Sequence, residues 1–335
     1  MKHTIRLLLG VLLLGSSCKK DTIIPDPWQT VTVSNNATPI RLMEEVRFSS
    51  AQVGWISGGR DQDLLGNPVL LKTTDGGSTW NSIDLRALHV SRFEAIAPLT
   101  DQVLFACGPD NALAFSRPPL LFKTEDGGTS WRKLASQNFN GSYSLHFFTD
   151  QIGVSANINL VLRTTDGGQS WRTVFEESLA GLDLLQCFPT GTAYAAGGGG
   201  GYDGLPSTGI LLKSIDRGET WQKLPWPHPA IHTLSFLTEQ VGFAGTLDRQ
   251  LYKTVDGGSS WQRVVGQLPG GAGQGVFISE QEGYLAGTAL YHTTDGGRSW
   301  QEEHPLPATD VYTALGFSPA GTGIATTRAG EIVRK

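Results

Sequence analysis

Charged residues and cysteines are scarce in this chain of 335 residues. Lys, Arg, Asp and Glu make up 17% of it, and the formal net charge is −5. Nucleic-acid binding requires a broad basic field, so this charge balance argues against nucleic acid as a partner. Beyond Cys18 the sequence contains just Cys107 and Cys187, which are too few for the disulfide framework of a small secreted domain. Both lie in apolar, strand-like segments, which favours buried thiols over a bridge between them.

Long apolar runs are also missing, and the run near the N-terminus is short. It extends from Leu7 to Leu14 and is about half of the ~20 residues that a membrane-spanning helix needs. A basic start, a short apolar core and small residues before a cysteine indicate an export signal. Gly15 to Cys18 resembles the lipobox of bacterial lipoproteins, whose cysteine is acylated. We therefore predict a signal peptide over residues 1–18, lipidation at Cys18, and a linker over residues 19–27.

The residues after this cysteine bear on the destination of the protein. No acidic residue follows the cysteine directly. By analogy with lipoproteins, this favours delivery to the outer membrane, on its periplasmic side or at the cell surface.

Glycine and tryptophan, by contrast, are abundant, with 42 glycines and 9 tryptophans. This composition is typical of tight turns beside large apolar anchors. An eight-residue box, Ser/Thr-x-Asp-x-Gly-x-Ser/Thr-Trp, recurs six times at intervals of 39 to 51 residues. Its aspartates and tryptophans are Asp75, Trp80, Asp126, Trp131, Asp166, Trp171, Asp216, Trp221, Asp256, Trp261, Asp295 and Trp300. Repeats of this period indicate a solenoid or a propeller.

Each box lies among apolar segments that are typical of short strands. Two such segments precede it, a third ends at the box, and a fourth begins at the box tryptophan. Four antiparallel strands per repeat describe one propeller blade, and no helical periodicity competes over a long stretch. A seventh copy of the first-strand motif, Ala314 to Phe317, follows the sixth box. The sequence therefore predicts an all-β fold, a seven-bladed β-propeller over residues 28–335.

The seventh repeat has a third strand at Glu331 to Lys335 and no fourth strand after it. A strand-like segment that begins at Trp28 stands alone before the first complete repeat. We predict that residues 28–33 are the fourth strand of blade 7 and close the ring, because an open ring would expose a sheet edge. The alternative is a tryptophan in a disordered linker after Pro25 and Pro27.

The box chemistry favours a structural task over ligand binding. The aspartate can accept bonds from nearby backbone amides, the glycine allows positive φ, and the tryptophan packs between sheets. The boxes lack the dense acidic array of a calcium loop. We expect no metal, no cofactor and no catalytic residue.

Loop lengths identify the face of the ring that is expected to bind a partner. In a four-stranded meander the boxes share one face with the turns between first and second strands, and the other connections lie on the opposite face. Three insertions lengthen loops of that opposite face, over residues 58–68, 108–119 and 197–209. Such insertions mark a binding face.

Polar and aromatic residues assigned to this face are the candidate binding residues. They are Arg60, Asp61, Asp63, His89, Arg92, Asp110, Arg117, Tyr143, Tyr202, Asp203, Trp226, His228, His232, Asp310 and Tyr312. Trp226 is the most informative, since Pro225 and Pro227 would hold its ring towards solvent, where a partner would have to cover it. The alternative is that it packs against the next blade.

The box resembles the Asp-box (BNR) repeat of sialidases. Its regular occurrence over residues 28–335 is similar to the photosystem II stability and assembly-factor family. That resemblance implies a seven-bladed, non-enzymatic propeller that binds other proteins during assembly. From this resemblance we take the architecture and the binding mode only, and we expect a lipid-anchored propeller that binds or helps to assemble envelope or cell-surface proteins.

Two other functions stay open. A sialidase-like glycoside hydrolase needs three converging arginines, an activated tyrosine and an acidic group. Residues of these types near first strands are Arg41, Arg47, Arg92, Glu44, Glu45, Glu94 and Tyr312. The Arg-Ile-Pro segment common in sialidases is absent, and six boxes exceed the usual number in sialidases. A glycan-binding module would use the same face and its aromatic residues.

Overall fold

Seven β-sheets, one per repeat, make up the part of the chain that the structure describes. This computed structural model describes residues 26–34, 41–59, 68–90, 92–109, 119–141, 144–178, 180–198, 208–270 and 273–335. Six sheets contain four antiparallel strands, and the sheet of the first repeat contains a fifth, parallel strand. No helix within these ranges is long and apolar enough to span a bilayer. The all-β, seven-bladed propeller is confirmed.

The blades are numbered by repeat. Two short strands, β1 (Gln29–Thr30) and β2 (Val33–Ser34), precede them. Blade 1 contains β3 (Arg41–Phe48), β4 (Gly54–Gly59), β5 (Val69–Thr73) and β6 (Trp80–Ser82), and blade 2 contains β7 (Ala95–Pro98), β8 (Leu104–Gly108), β9 (Leu120–Thr124) and β10 (Arg132–Lys133). Blade 3 contains β11 (Ser144–Phe147), β12 (Gly153–Ala156), β13 (Leu160–Thr164) and β14 (Arg172–Glu176), and blade 4 contains β15 (Leu182–Cys187), β16 (Ala193–Gly197), β17 (Ile210–Ser214) and β18 (Gln222–Lys223).

The remaining blades follow the same order. Blade 5 contains β19 (Ile231–Phe236), β20 (Gly242–Thr246), β21 (Leu251–Thr254) and β22 (Gln262–Arg263), and blade 6 contains β23 (Gly275–Phe277), β24 (Gly283–Ala286), β25 (Ala289–Thr293) and β26 (Gln301–Pro305). Blade 7 contains β27 (Tyr312–Phe317), β28 (Gly323–Thr327), β29 (Ile332–Arg334) and, from the other end of the chain, β1. A 3₁₀ helix, Arg86–Leu88, lies between blades 1 and 2.

Each box lies beside the first turn of its own blade. In blade 1 the backbone N–H of Gly76 donates to the carbonyl of Gln52 at 2.9 Å. The corresponding pairs are Gly127 with Gln102, Gly167 with Gln151, Arg217 with Gly191, Gly257 with Gln240 and Gly296 with Gln281. Boxes and first turns therefore share one face of the ring, the box face. The connections between second and third strands, and those between blades, lie on the other side, the opposite face.

The core consists of clusters between neighbouring blades. In the described residues there are seven, one at each interface. One of them packs Trp80 and Met43 of blade 1 against Ile324 and Ile332 of blade 7. Each blade thus buries both of its faces, which explains why the strands are apolar on both sides rather than on alternate residues.

The N-terminal segment closes the ring, in a way that differs partly from the predicted range. Gln29 and Thr30 pair antiparallel with β29, and the N–H of Val31 donates to the carbonyl of Ile332 at 2.8 Å. Val33–Ser34, however, leaves blade 7 and pairs in parallel with β6 of blade 1. Because β29 is three residues long, it offers no further partners, and the chain crosses to the neighbouring sheet.

The thiol of Cys187 is not in a disulfide, so it is not joined to Cys107, which is buried in β8. Burial raises the pKa of Cys187. This thiol therefore stays protonated and behaves as an apolar group.

Candidate functional site

The six box aspartates are occupied by hydrogen bonds within their own turns. In the first box, Asp75 Oδ1 accepts the hydroxyl of Thr73 at 2.8 Å and the N–H of Thr79 at 2.9 Å. Its Oδ2 accepts the hydroxyl of Thr79 at 2.7 Å. The same bonds are made by Asp126, Asp166, Asp216, Asp256 and Asp295. These carboxylates serve the turn, and no group of metal-ligating side chains assembles among the described residues.

A basic residue directly before several boxes connects neighbouring blades. Lys72 Nζ donates to the carbonyl of Gly127 in the next box at 2.9 Å, and Arg163 Nε donates to that of Arg217 at 2.9 Å. An equivalent bond joins Lys213 to Gly257, and Arg334 in β29 of blade 7, a blade without a box, makes one to Gly76. The sequence analysis did not assign this role, although a basic residue at a fixed position before the box was a visible signal.

A cavity of about 950 Å³ lies at the ring axis. Residues on or next to the innermost strands of all seven blades line it, from Glu44 in blade 1 to Phe317 in blade 7. Each inner strand enters from the opposite face and ends at the box face, where it meets the first turn. The start of each inner strand thus forms the mouth of this central cavity on the opposite face.

β-Bulges turn side chains into this mouth. The ladder between first and second strands slips around Glu44 in blade 1, Asp183 in blade 4, His232 in blade 5 and Thr313 in blade 7. All four lie four residues before the last residue of their strand, and Glu94 has the same position relative to β7. A bulge leaves its extra residue outside the ladder and redirects its side chain. We call Glu44, Glu94, Asp183, His232 and Thr313, which all line the cavity, the mouth residues.

The carboxylates of the mouth are partly desolvated. Burial raises the pKa of Glu44 to about 7, although Arg92 opposes the shift. Arg92 lies 3.5 Å from Glu44 and 2.8 Å from Glu94. Burial also raises the pKa of Asp183 to about 6. Burial therefore disfavours the charged form of both carboxyls, and a cationic ligand at the mouth would stabilise that form.

Of the sequence-predicted binding residues that the structure describes, two reach the mouth. His232 is a mouth residue, and its Nε2 lies 2.9 Å from the carbonyl oxygen of Thr246. Arg92 lies at the rim, bound to the two glutamates. His89 is exposed, away from these groups, and Asp310 accepts the backbone N–H of Val311 and of Ala329.

Trp226 is buried, contrary to the expectation of an exposed ring. It is 8% exposed, and its centroid lies 5.2 Å from that of Trp261 and 5.4 Å from that of Tyr252 in the next blade. Its indole N–H donates to the carbonyl of Pro229. His228 stacks on Tyr252 at 4.1 Å. The proline-rich connection folds this ring inward because blade 5 supplies an aromatic surface for it.

Tyr312 is also buried, at the interface of blades 6 and 7. Its hydroxyl lies 2.5 Å from His304 Nδ1, and burial raises its pKa. It therefore contributes to packing rather than to an open site. Arg60, Asp61, Asp63, Asp110, Arg117, Tyr143, Tyr202, Asp203 and Cys18 lie outside the described residues.

Sequence reasoning assigned Glu44 and Glu94 to the hydrolase alternative alone and did not single out Asp183. The available signal was positional: counting back four residues from the end of each inner strand reaches every mouth residue. The count shows that the mouth residues lie close together only when the arrangement of the blades around one axis is known.

Residues 21–202 match the model of a family described as Photosynthesis system II assembly factor YCF48. A relative from Synechococcus sp. (strain CC9902), named Photosystem II assembly lipoprotein Ycf48, is 29% identical over 129 residues, which are 38% of this chain and 33% of the relative. A protein of the same name from Prochlorococcus marinus is 34% identical over 84 residues, 24% of this chain and 22% of the relative. The matches thus span a third or less of these relatives.

Solved structures share the fold. One described as YCF48 bound to D1 peptide has a TM-score of 0.66 at 20% identity, covering 92% of this chain and 96% of that chain. YCF48 from Cyanidioschyzon merolae has a TM-score of 0.69 at 16% identity, covering 92% and 98%. The GH74 enzyme of Niastella koreensis has a TM-score of 0.60 at 16% identity, covering 84% and 50%. The family match, which extends over more than half of the sequence, shows that the chain belongs to the photosynthesis system II assembly factor YCF48 family.

Proposed function

We propose that this chain is a non-enzymatic, lipid-anchored propeller that binds an envelope protein and helps its assembly through the opposite face. The observation that carries the proposal is the recurrence of β-bulges at the mouth, which turn Glu44, Asp183 and His232 into the central cavity. Bulges often occur where a side chain must be aimed at a ligand. On the box face, by contrast, the aspartates are occupied within their own turns.

The names of the relatives support this proposal. Two of them are called assembly lipoproteins, and one solved YCF48 structure is described as bound to D1 peptide. For this chain we propose an envelope or cell-surface protein as the partner. The anchor would be the acylated Cys18, and the protein would be located at the outer membrane.

Cys18→Ser is expected to move the protein from the membrane fraction to the soluble fraction. Retention of this variant in the membrane fraction would contradict the lipid anchor.

The arginines at the central cavity are bound to groups of the protein itself, which favours a binding function over glycoside hydrolysis. Arg47 Nε donates to Glu45 at 2.6 Å, and Arg249 Nε donates to the carbonyl of Leu268 at 2.8 Å. Arg92 is bound to mouth glutamates. A sialidase would direct such groups at the substrate carboxylate instead. The burial of Trp226 also removes the aromatic ring that was the main candidate for stacking on a glycan.

Crosslinking in native membranes, followed by purification of the full-length protein, tests the proposal. The double variant Glu44→Gln, Asp183→Asn is expected to lose about fivefold or more of the captured envelope protein, because central charged groups dominate binding. Amides keep the size of these side chains and remove a charge that burial makes costly in the free protein, so the fold should tolerate both substitutions.

The matched control removes two carboxylates from the box face. Glu125→Gln, Glu280→Gln makes the same charge change at two exposed residues, and we expect it to capture the partner as well as wild type does. Equal capture by both double variants would contradict the assignment to the opposite face. Release of 4-methylumbelliferone from sialoside or glucoside substrates by the wild-type protein would overturn the non-enzymatic proposal.

A further inference from the structure

A second cavity opens on the opposite face, between blades 2 and 3. It has a volume of about 450 Å³, and its lining includes Pro119, Asn140, Ile158 and Glu176. Glu94 lines both this cavity and the central cavity. The two cavities therefore lie on either side of Glu94, and we call the surface from the ring axis past Glu94 to the space between blades 2 and 3 the radial path.

Exposed apolar side chains lie along this path. Ile158 in the outer cavity is 49% exposed, and Leu247 at the central cavity is 59% exposed. Single exposed apolar residues are common on protein surfaces. Two of them on the radial path, together with its charged groups, fit a ligand that carries both apolar and charged side chains.

Among the residues that the structure describes, the charge along the path is predominantly negative. The carboxylates are Glu44, Glu45, Glu94, Glu176 and Asp183, and the guanidinium groups are Arg47, Arg92 and Arg249. Arg47 and Arg92 are bound to glutamates of the path itself. Burial is the main cause that raises the pKa of Asp183 to about 6. A cation beside Asp183 would therefore stabilise its charged form.

We propose that the radial path binds an extended polypeptide segment in which a basic side chain lies between two apolar ones. This inference rests on the proposed function and names the class of ligand for the same face. The basic side chain lies at the mouth near Asp183 and Glu94. The apolar side chains contact Leu247 at one end and Ile158 at the other. An extended strand presents these three side chains together, because residues i, i+2 and i+4 project from the same side.

Synthetic peptides test this inference with the full-length protein in detergent. One ten-residue peptide has Leu-Ser-Lys-Ser-Leu in a serine-glycine background, and its counterpart has Glu in place of Lys. At low salt we expect the Lys peptide to bind at least about tenfold more tightly in isothermal titration, because like charges oppose the Glu peptide. Asp183→Asn and Ile158→Ser should each weaken binding of the Lys peptide about fivefold.

Ile215→Ser is the control, because Ile215 is an exposed apolar residue of a box, on the other face. It should leave the affinity unchanged. Thermal melting followed by circular dichroism checks that each variant is folded. Equal affinity for the two peptides, or no effect of Ile158→Ser, would overturn the inference. If capture of an envelope protein still depends on Glu44 and Asp183, the proposed function stands even when this inference fails.

Discussion

At the scale of single residues, a phenylalanine and a glycine form a matched pair inside five blades. Phe236 ends the inner strand of blade 5, and Gly242 begins the second strand beside it. A Cβ atom on Gly242 would lie 2.5 Å from the Phe236 ring. The same arrangement pairs Gly54 with Phe48, Gly153 with Phe147, Gly283 with Phe277 and Gly323 with Phe317. In blade 4 the pair is Cys187 and Ala193. The smaller Cys187 replaces the phenylalanine, and this leaves room for the methyl group of Ala193 in place of a glycine.

Gly242→Ala is therefore expected to destabilise the protein by about 1–3 kcal/mol, the usual range for overpacking. The Phe236 ring cannot move easily, since it stacks on Tyr194 at a centroid distance of 3.8 Å. Urea unfolding measures the loss. The control is Ala193→Gly, which opens space and should cost about 1 kcal/mol or less through backbone entropy. Equal stability of Gly242→Ala and wild type would contradict the steric account.

A second prediction at this scale concerns the box aspartates and pH. A hydrogen bond from the hydroxyl of Ser130 is the main cause that lowers the pKa of Asp126 from 3.8 to about 2, and the pKa values of Asp256 and Asp295 are also about 2. A lowered carboxyl pKa contributes stability above the unfolded value, and that contribution is lost as the pH falls through the folded value. The urea midpoint should therefore fall between pH 4 and pH 2. Asp126→Asn should show a smaller fall, and a midpoint that stays constant over this range would contradict the prediction.

At the scale of structural elements, the box hairpin has two roles. It connects third and fourth strands within its blade, and in four of the six boxes a backbone carbonyl also accepts a bond from a basic residue of the preceding blade. Arg163 shows this most clearly, because it is 8% exposed and donates to the carbonyl of Arg217 while pairing with Glu219 at 2.6 Å. The blades are thus joined by polar bonds as well as by apolar packing.

Arg163→Met should destabilise the protein by about 2 kcal/mol, as expected for a buried bond from a charged donor to a backbone carbonyl. Arg172 provides a matched control, since it binds the same carboxylate, Glu219, from an exposed position. Arg172→Met should cost less than about 1 kcal/mol, the usual value for a surface ion pair. Guanidinium chloride unfolding measures the stability of both variants. Equal losses in the free energy of unfolding would contradict a special role for the buried Arg163.

At the scale of the whole molecule, the two ends of the described chain hold the ring together. Trp28 is 2% exposed and packs between blades 6 and 7, with its indole N–H donating to Glu303 at 2.9 Å. Lys335 binds the same carboxylate at 2.8 Å. β2 then extends the contact to blade 1. The first described residues therefore contact three blades, and the closure joins the most distant parts of the sequence.

Trp28→Ala should cost about 3–5 kcal/mol, because it leaves a large cavity at the closing interface. Trp28→Phe keeps most of the apolar contact and loses the bond to Glu303. Its free energy of unfolding should therefore fall by about 1 kcal/mol more than the smaller side-chain volume alone explains. Differential scanning calorimetry on both variants tests the closure. An unchanged melting temperature for Trp28→Ala would mean that the N-terminal segment does not close the ring.

Most of the fold, and little of the site, was predictable from the sequence. The boxes predict the blades because their hydrogen bonds join residues no more than four positions apart. The local sequence is therefore enough to specify the turn. The displaced strand at Trp28 could be predicted because a blade without a fourth strand leaves an edge to be paired. The crossing of Val33 to blade 1 could not, since it depends on the length of β29 at the far end of the chain.

The sequence by itself thus determined the repeat, the number of blades, the box face and the closure, all of which follow from local turns and apolar periods. The tertiary structure alone decided which side chains meet at the axis. A bulge that moves Glu44 or Asp183 out of its ladder depends on the register of a neighbouring strand, and the inward turn of Trp226 depends on an aromatic surface of the next blade. Such positions are set by partners distant in sequence, which no local pattern records.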